Sequence, residues 1–273
     1  MNVPEYQQVS IRKIKGASFA DCNDLLATEE PLEIRLLYPS QGVEIEKSIS
    51  ITMRTPGNDV ELAKGFLYTE GMIRSLDEVI SARYHGNNIV RVIVNALTSD
   101  ISKLDRNFYT TSSCGVCGKS SIESIRTVSP FPLSKDKLEI RSTVFYSLPG
   151  KLKNSQVIFE TTGGLHAAAL FDIAGNLLLL REDVGRHNAL DKLIGASLES
   201  LLLPFDNHIL LLSGRASFEL IQKAWMAGIK IVAAVGAPST LAVELALEAE
   251  MTLIGFLRGE CFNVYTGIQR IGV

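Results

Sequence analysis

Cys114 and Cys117 are the residues whose type and spacing most strongly suggest chemistry in this chain. They lie three positions apart in TSSCGVCGKSS, residues 111–121, in a chain of 273 residues with four cysteines. Glycine and serine surround them, so the local backbone bends easily and has little bulk to bury a thiol. Lys119 is a cation of the kind that stabilises a reactive thiolate. The pattern favours sulfur chemistry, metal binding or redox exchange over core packing.

Four roles of the cysteine pair are open from the residues alone. An accessible thiolate can hold a transferable sulfur as a persulfide, with its neighbour assisting the transfer. A zinc site needs two further ligands, but no second CxxC is present, and Cys22 and Cys261 are distant in sequence. The H-x-E and P-C-x-x-C elements of zinc deaminases are also missing. A thioredoxin-like dithiol and a pair of small buried thiols are the other roles, and sulfur transfer is the favoured one.

Composition limits the functional class. The net charge is −3 and 46% of the residues are hydrophobic, which is typical of a globular enzyme and gives no basic surplus for a nucleic-acid partner. The stretch MNVPEYQQVSIRKIKG lacks the apolar region of a signal peptide. The longest apolar run, 165–180, is interrupted by Asp172, Gly175 and Asn176, which predicts two strands and a turn and no membrane span. Without a disulfide framework, the cytoplasm is the expected compartment.

The first part of the chain is expected to be rich in β-structure. Stretches of β-forming residues between turn signals predict strands of an antiparallel unit at residues 5–15, 33–38 and 43–53, and IVRVIVN predicts another strand at 89–95. Pro56, Gly57 and Asn58 predict a turn. After it we expect a helix with Asp59 as its N-cap and Gly71 just beyond its end.

Beyond about residue 140 two kinds of segment alternate. Buried strands are predicted in GLHAAALFD, NLLLLREDVG, HILLLSG, KIVAAVG and TLIGFLRG, and helices in HNALDKLIGASLES, SFELIQKAWMAG and STLAVELALEAE. This alternation predicts an α/β sandwich with a mostly parallel sheet. We predict a β-rich N-terminal part at residues 1–110, a cysteine loop and connecting segment at 111–140, and the α/β core at 141–273.

Polar residues cluster where the predicted strands meet turns and helices. The candidates are Gly163, Gly164 and His166, then Arg181, Glu182, Asp183, Arg186 and His187, then Ser213, Gly214 and Arg215, and finally Arg258 and Gly259. Ligands of open α/β sheets bind at the carboxyl edge, where free N–H groups and arginines suit phosphate. The sequence therefore predicts a pocket for a large phosphate-bearing ligand. Each element also fits a structural role, His166 as a core histidine and the charged turn as a helix cap with salt bridges.

Six ordered segments carry a resemblance to a known family. They are MRTPGNDVELAKGFLYTEG, SSCGVCGK, TTGGLHAAAL, REDVGRHNALDK, SGRASFEL, and GAPSTLAVELA followed by GFLRGECFNVYTG. Over most of its length the chain resembles the formate dehydrogenase accessory sulfurtransferase family (FdhD type). Six segments in order are far more specific than a lone CxxC.

The resemblance implies a cytidine deaminase-like three-layer core without the catalytic zinc, in a cytoplasmic sulfur carrier that forms a homodimer. Sulfur would pass from a cysteine desulfurase to the molybdenum cofactor, in its bis-molybdopterin guanine dinucleotide form, before insertion into formate dehydrogenase. Cys114 would bear the persulfide with Cys117 as its partner, although the residues do not decide which is loaded first. The cofactor would lie against Phe256, Leu257, Arg258, Gly259, Glu260 and Cys261. A non-catalytic cofactor chaperone and a metal-dependent hydrolase on the same fold are the alternatives.

Overall fold

The computed structural model describes residues 4–95, 129–131, 138–200 and 203–272, so Cys114 and Cys117 lie outside the described residues. The strands are β1 (Tyr6–Lys15), β2 (Ser18–Ala27), β3 (Glu30–Ser40), β4 (Val43–Arg54), β5 (Val79–Tyr84), β6 (Ile89–Val94), β7 (Ile140–Arg141), β8 (His166–Asp172), β9 (Leu177–Asp183), β10 (His208–Leu212), β11 (Ile231–Ala234), β12 (Thr252–Arg258), β13 (Cys261–Thr266) and β14 (Ile271–Gly272). The α-helices are α1 (Asp59–Thr69), α2 (Ser142–Ser155), α3 (Val157–Thr162), α4 (Arg186–Ser200), α5 (Phe218–Met226) and α6 (Thr240–Glu248).

The N-terminal strands form two sheets. β1 and β2 pair as an antiparallel hairpin with a sheet of its own. The other sheet has the order β4-β3-β6-β5, in which β3 is antiparallel to β4 and parallel to β6. The antiparallel pairing predicted for residues 33–38 and 43–53 is confirmed, whereas residues 5–15 pair with β2 in the separate sheet. The chain passes through α1 and β5 before it reaches β6, so no hairpin turn fixes the direction of β6 relative to β3.

A six-stranded sheet with the order β13-β12-β11-β10-β8-β9 forms the centre of the second half. β10, β11 and β12 are parallel, whereas β8, β9 and β13 enter by antiparallel pairs. The prediction of a mostly parallel sheet is thus wrong outside its three central strands. Short turns after β8 and β12 make hairpins, and a hairpin always gives an antiparallel pair.

Alternate residues of the central strands pack into two hydrophobic clusters. Leu210 and Leu212 of β10 face a cluster that includes residues of α1, α4, α5 and α6. Ile209 and Leu211 of the same strand face a second cluster with Phe145 of α2. Helices therefore cover both faces of the sheet, and the period of two along β10 assigns each side chain to its cluster.

Helix α1 begins and ends with left-handed residues. Asn58 is its N-cap with φ of 57°, so Asp59 is not the cap that the sequence predicted. Instead the buried carboxylate of Asp59 accepts two hydrogen bonds from Arg54, at 3.0 and 2.8 Å. At the other end Gly71 has φ of 71° and donates to the carbonyl of Tyr68, which confirms its predicted position.

Helices α1 and α4 contact each other through two glycines. A Cβ added to Gly65 would lie 1.9 Å from the backbone oxygen of Asp191, and one added to Gly195 would lie 1.9 Å from that of Glu61. The two backbones can approach this closely only because neither glycine has a side chain. Glu61 also accepts two hydrogen bonds from Arg181 of β9, at 2.6 and 2.8 Å. Helix α1 is therefore packed directly on α4 and β9 of the second half of the chain.

Candidate functional site

The carboxyl ends of β9, β10, β11 and β12 and the amino end of β8 meet at one edge of the six-stranded sheet. His166 at the start of β8 is the cross-strand partner of Asp183 at the end of β9. The N–H of Gly236 donates to the oxygen of Gly214 at 3.0 Å, and the N–H of Phe256 donates to that of Gly236 at 3.1 Å. The polar turns that were expected to share an edge are thus neighbours.

His166 is half-buried at this edge. A Cβ added to Gly214 would lie 3.2 Å from its Nδ1, so the imidazole packs on the Gly214 backbone. Burial, and then the positive charge of Arg186 and the nearby His187, lower the pKa of His166 from its usual value. The imidazole is therefore mainly neutral near pH 7 and can donate one hydrogen bond and accept another.

Arg186 is the first residue of α4 at the same edge. Its Nε is buried, and within the described residues no acceptor reaches it. A buried N–H without a partner costs free energy, and in a native structure it calls for an explanation. An anion would supply the acceptor, and the start of a long helix also favours negative charge. Arg186 is the strongest sign of an anionic ligand in the site.

His187 joins the beginning of α4 to the beginning of α5. Its Nε2 lies 3.4 Å from Oγ of Ser217 and 3.9 Å from Oε2 of Glu219. The His187 imidazole holds the pKa of Glu219 at about 2, so this carboxylate is ionised at neutral pH. Glu219 thus places a negative charge beside His187 at this edge.

We expect the stability that the Glu219 carboxylate contributes to be present above about pH 4.5, the pKa of a free glutamate, and to be lost as the pH falls toward 2. The folded protein keeps this group ionised where the unfolded chain already binds a proton. Urea unfolding of the wild type and Glu219→Gln at several pH values measures the effect, and the difference between them should shrink in acid. Glu244→Gln, at an exposed position of α6, is the control. A Glu219 difference that stays constant with pH would contradict the prediction.

Ser213, Gly214 and Arg215 follow β10. Oγ of Ser213 accepts a hydrogen bond from the N–H of Ala167 at 2.8 Å, so this hydroxyl already serves the β8–β10 contact. The Gly214 backbone lines the edge beside His166, and the Arg215 side chain is exposed. Of the three, Arg215 has the side chain best placed to reach a ligand from solvent.

The β12–β13 hairpin carries the stretch from Phe256 to Cys261. Phe256 is a non-glycine residue with φ of 54°, at a register irregularity between Gly255 and Arg258. Its ring is 37% exposed, whereas the Leu257 side chain is fully buried in the core. The side chains of Arg258, Glu260 and Cys261 are exposed, as is Gly259. A left-handed aromatic residue is strained, and such strain clusters at functional sites.

Gly163 and Gly164 connect α3 to β8. Gly163 ends α3 in a left-handed conformation with φ of 68°. Gly164 is exposed, and a Cβ there would lie 3.7 Å from the side chain of Ala27 at the end of β2. These glycines precede His166 in the chain and lie between the β1–β2 hairpin and the sheet edge.

Three further observations concern metal, thiols and membrane. Within residues 4–95, 129–131, 138–200 and 203–272 no cluster of His, Cys, Asp or Glu side chains is arranged to hold a metal ion. Cys22 and Cys261 are free, exposed thiols. Among the helices of the described chain, none has the length and apolar character needed to cross a bilayer. The predicted catalytic pair, Cys114 and Cys117, cannot be placed relative to the edge because it lies outside these ranges.

Two residues that hold the turn at 183–186, here called the Arg186 turn, were not among the candidates from the sequence. Nζ of Lys192 lies 2.7 Å from Oδ2 of Asp183, and both side chains are almost fully buried. Thr55 donates its N–H to the same carboxylate over a separation of 128 positions. Lys192 could have been noticed because it lies within ten positions of the charged turn at 181–187, whereas nothing local to Thr55 points to its partner.

The chain matches a known protein family and curated members of it. The FdhD/NarQ family model matches residues 27–272. A sulfur carrier protein FdhD of Mycolicibacterium paratuberculosis is 49% identical over 259 residues, or 91% of this chain and 92% of that protein. One of Sulfurisphaera tokodaii is 43% identical over 267 residues, or 98% of this chain and 99% of that protein.

A solved structure shows the same fold. It is a Desulfotalea psychrophila protein provisionally described as a formate dehydrogenase accessory protein. Its TM-score is 0.78 at 22% identity, and the match covers 98% of this chain and 100% of that one. On the family model and the curated relatives, the chain belongs to the FdhD/NarQ family.

Proposed function

We propose that this protein is a sulfur carrier that takes sulfur from a cysteine desulfurase and transfers it to the molybdenum cofactor of a formate dehydrogenase. The names of relatives up to 49% identical support the carrier role, and the CxxC pair Cys114 and Cys117 supplies the chemistry. The observation that carries the cofactor half of the proposal is the buried Nε of Arg186, for which the described part of the chain supplies no acceptor. It supports an anionic substrate at the sheet edge.

Loading is a thiol exchange. The Cys114 thiolate attacks the outer sulfur of the desulfurase persulfide, a new S–S bond forms, and the desulfurase leaves as its own thiolate. Cys114 then carries a persulfide, and no net oxidation or reduction takes place. Lys119, two positions after Cys117 in the sequence, is the cation that would favour the attacking thiolate electrostatically.

Delivery requires two electrons, because the outer sulfur of a persulfide must become sulfide before it can replace an oxygen on the metal. The Cys117 thiol supplies them by attacking the inner sulfur, on Cys114, which leaves a Cys114–Cys117 disulfide and releases the outer sulfur as sulfide. The thiol and persulfide hydrogens leave with the displaced oxygen as water. A cellular dithiol reductant then restores the pair.

The edge residues fit the phosphate groups of a guanine dinucleotide. Arg186 offers a buried donor, and Arg215 and Arg258 offer exposed guanidinium groups. The neutral His166 can donate a hydrogen bond to an oxygen, and the exposed ring of Phe256 offers a flat apolar surface. The bis-molybdopterin guanine dinucleotide would enter this site as substrate and not as a resident group.

Arg186→Gln is expected to weaken the binding of guanosine diphosphate, a fragment that carries the guanine and diphosphate of the cofactor. Loss of a charged hydrogen bond of about 1.5–3 kcal/mol lowers the affinity roughly tenfold to a hundredfold. Isothermal titration calorimetry measures it. Arg83→Gln, at an exposed position of β5, is the matched control and should bind as the wild type does. Equal affinities for Arg186→Gln and the wild type would remove Arg186 from the site.

A further inference from the structure

The segment Thr52–Thr55 contacts the turn that carries Arg186, and Thr55 uses all of its polar groups there. Its N–H donates to Oδ2 of Asp183 at 3.2 Å, and its Oγ1 accepts from the N–H of Val184 at 3.2 Å. Its carbonyl accepts from Nζ of Lys192 at 2.8 Å. Because the N–H, the hydroxyl and the carbonyl of Thr55 are all hydrogen-bonded to this region, the turn has little freedom to shift.

A second set of hydrogen bonds holds the other side of the turn. Oδ1 of Asn188 accepts from Oγ1 of Thr52 at 3.2 Å, and Nδ2 of Asn188 donates to the carbonyl of Met53 at 2.8 Å. The same Nδ2 lies 3.1 Å from Oδ1 of Asp183. Asn188 is itself largely buried, so these bonds are not exchanged readily with water.

Arg186 and His187 lie between the held positions. Asp183 and Val184 precede them, Asn188 follows them, and each of these is bonded to Thr52–Thr55 or to its own turn. Oδ1 of Asp183 also accepts the N–H of Gly185 at 2.8 Å, which closes the turn directly before Arg186. The backbone on both sides of Arg186 is therefore held by a segment more than 120 positions away in the chain.

We propose that Thr52–Thr55 is a positioning element of the anion site, with Thr55 as its main positioning residue. The β-rich part thereby takes part in substrate binding through the Arg186 turn, although it does not touch the substrate there. This inference rests on the proposed function for the identity of the anion, but not for the geometry of the turn. The MRTPGND stretch, for which sulfur transfer alone suggests no role, is thereby assigned one in positioning Arg186.

Thr55→Val tests the proposal because it keeps the shape and both backbone groups and removes only the acceptor of the Val184 N–H. Binding of guanosine diphosphate, followed by calorimetry, is expected to weaken at least fivefold. Thr55→Ser returns the hydroxyl and is expected to bind within twofold of the wild type. The chain has four histidines, so a histidine-labelled sample gives a short set of ring NMR signals. In the free protein, Thr55→Val should shift the His187 and His166 signals and leave those of His85 and His208 in place.

Thr69→Val is the matched control. Oγ1 of Thr69 is also buried, donates to Asp191 at 2.8 Å and accepts from Lys223 at 2.9 Å, but it contacts neither Arg186 nor its turn. It should lose stability yet keep wild-type affinity and unshifted His187 signals. Equal loss of affinity in both valine variants, or unchanged His187 signals in Thr55→Val, would overturn the positioning role. A wild type that binds no guanosine diphosphate would overturn the anion site instead, while the histidine signals would still decide the role of Thr55.

Discussion

Replacing both Cys114 and Cys117 by alanine is expected to reduce activation of formate dehydrogenase to background, at least a hundredfold below the wild type. The proposed carrier holds sulfur on one thiol and takes two electrons from the other, so neither loading nor delivery survives without them. The measurement is formate-dependent dye reduction in extracts of a strain that lacks its own carrier and expresses the variant. Binding of guanosine diphosphate should remain, because the sheet edge is intact.

Cys22→Ala is the matched control for that experiment. Cys22 is an exposed free thiol on the β1–β2 hairpin, and its loss should leave activation unchanged. Full activation by the double variant at Cys114 and Cys117 would show that the protein delivers the cofactor without carrying sulfur. That outcome would favour the non-catalytic chaperone over the carrier.

Gly65→Ala is expected to lower the free energy of unfolding by about 3 kcal/mol or more, at or above the upper end of the usual range for core overpacking, because the clash is with backbone atoms. The new methyl group would lie 1.9 Å from the carbonyl oxygen of Asp191 and 2.9 Å from the backbone nitrogen of Gly195, so α1 and α4 must separate. That movement also strains the contact of Glu61 with Arg181. Urea unfolding followed by circular dichroism measures the loss.

Gly150→Ala separates this packing effect from a general effect of glycine replacement. Gly150 lies in α2, and an added Cβ would meet no atom within 4 Å. Its replacement should be neutral or stabilising by about 0.5–1 kcal/mol, from helix propensity. A Gly65→Ala protein with the denaturation midpoint of the wild type would contradict the close crossing of α1 and α4.

Most helices and strands of the second half could be predicted because they are apolar and bounded by turn residues. HNALDKLIGASLES became α4 and HILLLSG became β10 nearly as expected. Helix α2 could not be predicted in the same way, since Pro149 stands inside it and its pattern is weakly apolar. Strand directions were also beyond local reasoning, because the pairing of β6 with β3 depends on tertiary contacts and not on a turn.

For the candidate site, the sequence predicted which turns lie together but not the contacts of their side chains. The turns after β9 and β10 identified the sheet edge, since carboxyl ends of neighbouring strands meet there. The environment of the Arg186 Nε could not be read from the sequence, because it depends on which of the described residues the fold brings within reach of that atom. Nor could the contact of Thr55 with Asp183, which joins residues 128 positions apart.

The most direct test of the central claim is the intact mass of the protein after incubation with a cysteine desulfurase and cysteine. The account predicts one added sulfur atom on the wild type and on Cys22→Ala, removed by a thiol reductant, and none on the variant that lacks both Cys114 and Cys117. Variants that lack one of the two cysteines then show which thiol is loaded first. No added sulfur on the wild type, or undiminished sulfur on the double variant, would contradict the account.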